Sequence, residues 1–146
     1  MQISIVLVEP WHVDAVAAQM RADDVKEVME LGGFSPFEAL ESSLSHPGVS
    51  FTALFDEVPA AIFGVVHPSI LAAVGIPWLL GTPVLERHWR AFARASRDVM
   101  DTLKSEYPVM TNITHADNAL SVRWLRWLGA TFDIHGIHAR FTLCAP

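Results

Sequence analysis

The sequence predicts a single-domain α/β protein built on a mixed sheet, on three observations. Short β-branched, apolar runs bounded by turn residues recur along the chain. Segments with apolar residues at steps of three and four lie between them. A hairpin-like meander in the first half gives way to strand–helix alternation in the second, which asks for both antiparallel and parallel neighbours in one sheet.

Taken in order, ISIVLVEP, Ile3 to Pro10, reads as a strand that ends at a proline. Val13, Val16, Ala17 and Met20 then share one helical face, and Val25, Val28, Met29 and Leu31 mark a second short helix that stops at Gly32-Gly33. A third helix has Ser35 as its cap, Pro36 in the first helical position and Glu38 placed for a capping box, and it ends at Pro47-Gly48. VSFTALFDEVPAAIFGVVH reads as a hairpin turning at DEVP, with Pro59 near the turn, and VGIPWLLGT as a fourth strand.

PVLERHWRAFARASRDVMDTLKSEY is the longest expected helix, capped by Thr82 and opened by Pro83, with Leu85, Trp89, Phe92, Ser96, Val99 and Leu103 facing inward. PVMTNITH follows as a fifth strand, and TFDIHG and HARFTLC close the chain as two more. Between them, DNALSVRWLRWLG is a helix whose Arg123 and Arg126 form one polar stripe with Ala119. Trp124 and Trp127 fall on the wide apolar remainder and read as core.

The composition excludes several classes of function. With 51% hydrophobic residues, five Trp and eight Phe in 146 residues, the chain carries enough apolar mass for a core of its own. A net charge of −6 offers no general attraction to nucleic acid or to anionic membranes. The single cysteine, Cys144, allows neither an internal disulfide nor a cysteine metal cluster, and it fits a reducing compartment such as the cytoplasm. MQISIVLVEPW lacks the basic region and cleavage site of a leader, and SILAAVGIPWLLGTPVL is broken by Gly75, Pro77, Gly81 and Pro83, so neither reads as a membrane segment.

The element order resembles the GNAT acyltransferase superfamily, and Asn118, Ser121, Trp124 and Leu128-Gly129 stand where those proteins often carry a helix-opening Asn, a small residue, a pair of aromatics and a final Leu-Gly. From Pro77 to Phe132 the chain also resembles the internal virion protein A family of short-tailed, T-odd bacteriophages. That match rests on Trp78 with Thr82, the Glu106-Tyr107-Pro108 helix exit, and Asn118, Arg123, Leu125 and Gly129-Ala130. These resemblances imply a GNAT-like acyl-CoA N-acyltransferase fold over residues 1–146, with acetyl-coenzyme A as the candidate cofactor and no metal.

Acyl transfer to an amine needs a cradle for pyrophosphate, donors to the thioester oxygen, a base for the amine and an acid for the leaving thiolate. The resemblance makes Leu80, Gly81, Thr82, Arg87 and Asn118 the candidate cofactor contacts. In that loop Pro83 has no N–H, and Glu86 puts a carboxylate in the first helical turn, where it repels a phosphate. Arg87, like Arg90, is either a phosphate ligand or a solvated charge on the outer helix face. Where the family often has its tyrosine acid this chain has Leu125, and its one tyrosine is Tyr107.

Candidate bases are His67 and His115 at two strand ends, with Asp117 two residues beyond His115. The competing reading is that Asp117 or Asn118 simply caps the next helix. His135 and His138 have no carboxylate at ligand spacing and read as loop residues.

Two functions follow as expectations. The first is a phage or prophage protein with a virion or assembly role, partnered by virion or assembly proteins, in which acetyltransferase chemistry is weakened or lost. The second is a working acetyl-coenzyme A-dependent N-acetyltransferase acting on a host protein or small amine. The host cytoplasm or the virion is the expected location, no nucleic-acid or membrane partner is expected, and self-association is left open.

Overall fold

A computed structural model describes residues 1–69, 71 and 73–145. Strand β1 (Ile3–Leu7) is followed by helices α1 (Pro10–Ala18), α2 (Ala22–Gly32) and α3 (Pro36–Ser45). Then come β2 (Gly48–Phe55), β3 (Val58–Val66), β4 (Val74–Gly81), α4 (Pro83–Arg87), α5 (Trp89–Glu106), β5 (Val109–His115), α6 (Ala119–Trp127), β6 (Thr131–His135) and β7 (His138–Cys144). The strands form one sheet in the order β1-β2-β3-β4-β5-β7-β6. Only the β4–β5 pair is parallel, so the mixed sheet expected from the meander is present.

Both faces of the sheet are covered, because neighbouring strand residues point to opposite sides. Phe63 packs with Phe92, Met100, Trp124 and Leu143 on the side of α5 and α6. Its neighbour Ile62 packs with Val13, Val16, Leu40 and Leu80 on the side of α1 and α3. The indole N–H of Trp124 donates to Ser96 Oγ at 3.1 Å, so the one buried serine on the inner face of α5 satisfies the largest buried ring.

Local chemistry sets most element ends as the sequence predicts. Ser35 and Glu38 form the expected capping box, the Glu38 N–H donating to Ser35 Oγ at 3.2 Å and the Ser35 N–H to Glu38 Oε1 at 3.1 Å. The β2–β3 hairpin turns on Asp56 and Glu57 alone, both left-handed with φ of 49° and 68°. Two such residues match the right-handed twist of the flanking strands.

Three expectations are corrected. The long helix breaks at His88 into α4 and α5, which lets Leu85 fill the space over Gly81 while Phe92, Ser96, Met100 and Leu103 stay against the sheet. A side chain at Gly81 would meet Leu85 Cδ2 at 2.3 Å, so a larger residue there has to displace the buried Leu85 side chain. Thr82 is not a side-chain cap: its hydroxyl donates back to Ala60 O at 3.0 Å, tying the start of α4 to β3. Trp127 is 47% exposed, with the Arg97 guanidinium 5.2 Å over its ring, because α6 turns only one side to the sheet; Trp124 alone is core.

Candidate functional site

Strands β4 and β5 pair only at their first residues, Val74 with Val109 and Gly75 with Met110. Beyond these the two strands separate. Backbone groups alternate sides along a strand, and those of Pro77, Leu79 and Gly81 face the gap because their neighbours are bonded to β3. The gap opens into a cavity of about 220 Å³, bounded by α2 and α3 on one side and by Trp124 and Leu125 of α6 on the other.

Much of the gap-facing edge of β4 is engaged by the chain itself. Asn112 Nδ2 donates to Pro77 O at 2.9 Å, bridging the strands near their origin. At the other end the Gly81 N–H donates to Asp24 Oδ2 at 2.8 Å, and the Arg21 N–H donates to Gly81 O at 2.8 Å. The connection from α1 to α2 therefore seals the end of β4.

Arg21 sits at the centre of that seal, 2% exposed. Its Nη1 donates to Asp24 Oδ1 at 2.7 Å and to Asn118 Oδ1 at 2.9 Å, and its Nε to Glu86 Oε1 at 2.9 Å. Asn118 Nδ2 returns a bond to Asp24 Oδ1 at 2.9 Å, so both buried charges are fully surrounded by partners. Burial pushes the Asp24 carboxyl up to about 6, a shift held back by Arg21, Asn118 and the Gly81 N–H and reinforced by Glu27.

A second polar group borders the first. Glu27 Oε1 accepts from the Thr114 hydroxyl, from the His115 N–H at 2.6 Å and from Asn118 Nδ2 at 3.3 Å. His115 Nδ1 accepts the Asp117 N–H at 3.1 Å, which leaves Nε2 as the protonated nitrogen of the neutral ring, 2.6 Å from Glu30 Oε2.

The predicted site residues are only partly brought together. Gly81, Thr82 and Asn118 meet at the seal, where each is bonded to the protein. Leu80 lies close by in the core beneath α1 and α3, and Arg87 is exposed on the outer face of α4. His115 and Asp117 do not form the expected side-chain pair. Asp117 is exposed and 3.7 Å from Lys26 Nζ, while the imidazole partner is Glu30. His67 lies near the closed, amino-terminal end of β4, where its Nδ1 meets the Tyr107 hydroxyl at 2.7 Å. None of the three candidate bases lines the cavity.

Asn118 is the cap of α6, accepting the Ser121 N–H at 3.5 Å, as the competing reading expected. Arg21, Asp24, Glu27 and Glu30 were missed by sequence reasoning. Arg21 and Asp24 stand three apart with acids in the first turn of α2, a pattern that reads equally as a solvated helix start.

A pyrophosphate cradle at the β4–α4 loop needs free backbone N–H groups. Here the Gly81 N–H is bonded to Asp24, the Thr82 N–H to Ala60 O and the Leu85 N–H to Thr82 O, and Pro83 has none. Glu86 adds a carboxylate beside the loop, and Arg21 is already ringed by acceptors. Gly81, Thr82, Pro83 and Leu85 therefore offer a pyrophosphate no free N–H.

No protein-family model matches the sequence, and no curated protein matches it. Solved structures do match in shape. A GCN5-related N-acetyltransferase from Kribbella flavida superposes with a TM-score of 0.66 at 14% identity, over 97% of both chains. The fold is that of the GNAT acetyltransferases. A second GCN5-related N-acetyltransferase, from Brucella melitensis, gives 0.67 at 16% identity over 97% of this chain and 75% of its own. A ribosomal-protein-S5-alanine acetyltransferase from Vibrio fischeri gives 0.63 at 10% identity over 99% and 93%. The separation of β4 and β5 is thus set in a GNAT fold.

Among the described residues no helix is long and apolar enough to cross a membrane, and no three His, Cys, Asp or Glu side chains are grouped to hold a metal ion.

Proposed function

We propose that the protein is a GNAT-fold ligand-binding protein in which acetyl transfer from coenzyme A is weakened or lost. One observation carries the reading: the Gly81 N–H, at the end of the strand that leads into the phosphate loop of the fold, donates to the Asp24 carboxylate. Leu125 at the place of the family's tyrosine adds to it, since leucine has no proton to give a thiolate.

The gap between β4 and β5 favours the second reading, an acetyl-coenzyme A-dependent N-acetyltransferase. Calorimetric titration with acetyl-coenzyme A separates the two. No binding at millimolar ligand is the expected result, and micromolar binding would overturn the proposal. The virion or assembly role rests on the resemblance of Pro77 to Phe132 alone. Mass spectrometry of purified particles tests it, and absence of the protein there would end it.

A further inference from the structure

We propose that the cavity between β4 and β5 binds a small organic cation with an apolar body, held by the Glu27 carboxylate. The inference rests on the ligand-binding reading above and names the ligand class, a cation that is bound and not acylated.

Glu27 is the only charged side chain on the cavity wall among the described residues. Its three bonds all fall on Oε1, from Thr114, His115 and Asn118, and Oε2 has no protein partner. The carboxylate is therefore pinned before any ligand arrives, and binding costs no further ordering of this side chain. The half-buried carboxylate keeps Oε2 free to accept from a ligand, and a cation is the partner its charge favours.

The remaining wall fixes the rest of the ligand. Leu31, Phe34, Trp78, Leu79, Trp124 and Leu125 supply apolar and aromatic surface, suited to alkyl or aryl groups and to a cation over an indole face. Asn112 Nδ2 and the Thr114 hydroxyl are bonded within the protein, the serine hydroxyls of the wall carry no charge, and the Glu27 carboxylate repels an anion. About 220 Å³ is small beside pockets for drug-sized ligands, and the net charge of −6 draws cations toward the protein.

A quaternary ammonium is the discriminating probe, because it has no N–H to acylate. The full chain is titrated calorimetrically with benzyltrimethylammonium, with neutral 3-phenylpropan-1-ol and with 3-phenylpropionate. The cation is expected to bind at least about tenfold more tightly than the alcohol, and the anion not at all.

Glu27→Gln keeps the shape and removes the charge. It should weaken the cation by about tenfold or more and leave the alcohol unchanged, while Glu41→Gln, on the outer side of α3, changes neither. Should Glu27→Gln fail to fold, Ser43→Leu fills the cavity with Glu27 in place and must abolish cation binding. Equal affinity for cation and alcohol, unchanged cation affinity in Glu27→Gln or Ser43→Leu, or no cation binding at millimolar probe would each overturn the inference. Acetyl-coenzyme A is titrated separately. Its binding would sink the preceding proposal, whereas loss of the cation result with no coenzyme binding would sink only this one.

Discussion

The carboxylate of Asp24, in the first turn of α2, accepts the backbone N–H of Gly81, at the end of β4, at 2.8 Å. Those residues are 57 apart in sequence. Together with Arg21 they close the end of the strand from which a GNAT-fold phosphate loop departs, and they join the first helices to the sheet.

Removing Asp24 should therefore cost much more than removing a surface acid. Asp24→Ala leaves the Gly81 N–H unpaired and deprives Arg21 of its shortest ion pair, and breaking such a buried pair costs about 3–5 kcal/mol. Denaturant unfolding checks this. A loss within the range of surface substitutions, about 0.5 kcal/mol, would show that the seal contributes little.

The same residue gives a signed pH dependence. The Asp24 carboxyl is raised to about 6 in the folded protein from 3.8, so between these values the folded state binds the extra proton. Its contribution is fully present below about pH 4 and is lost as pH rises through 6, on the order of 3 kcal/mol over the window. Wild type should gain stability relative to Asp24→Asn as pH falls from 6 to 4, measured by urea unfolding at each pH. A gap that narrows instead would reverse the assignment.

His12 should act with the opposite sign. Its ring is fully buried in α1, Nδ1 accepts the Glu9 N–H at 3.0 Å and Nε2 has no hydrogen-bond partner. Burial lowers its pKa from 6.5, with Glu9 opposing. The unfolded chain therefore takes up the proton first, and stability present above pH 6.5 is lost as pH falls through the lowered folded value. His12→Leu should flatten this loss in melting curves recorded from pH 7.5 to 5, and an undiminished slope would exclude His12 as its source.

Gly129 closes α6 with φ of 99°, and open space surrounds the position of a Cβ. The restriction is conformational, so Gly129→Val should lose about 1–3 kcal/mol, more than Gly129→Asn. An unchanged melting temperature for the valine variant would contradict this.

Glu57 adopts φ of 68° in the two-residue turn between β2 and β3, a conformation glycine takes without strain. Glu57→Gly should raise stability by about 0.5–1 kcal/mol, read as a higher melting temperature. Asp56 is best left in place, since its Oδ1 accepts the Gln2 N–H at 2.8 Å and holds the start of β1.

Most of the fold was legible because its signals are local. Ser35, Pro36 and Glu38 cap α3 by bonds within one turn, and Pro10 and Pro36 stand at first helical positions whatever packs above them. The alternation of Ile62 and Phe63 fixes which residues face each layer. The break at His88 escaped because a helical face drawn through Leu85 and Phe92 is continuous in sequence, while the space over Gly81 exists only once β3, β4 and α4 meet. Trp127 was misplaced because an apolar arc does not say how much of a helix the sheet covers.

The sequence by itself determined the elements, their order, the acidic balance and the placing of Pro83 and Glu86 after the fourth strand, because these depend on residue type and near neighbours. Only the tertiary structure decided what occupies the end of β4, which imidazole partner His115 takes and which carboxylate faces the cavity. Arg21, Asp24, Glu27 and Glu30 come from one helix and its approach, yet their partners outside that segment lie 57 to 97 residues away. Buried charges choose partners by proximity in the folded chain, and no spacing in the sequence encodes that distance.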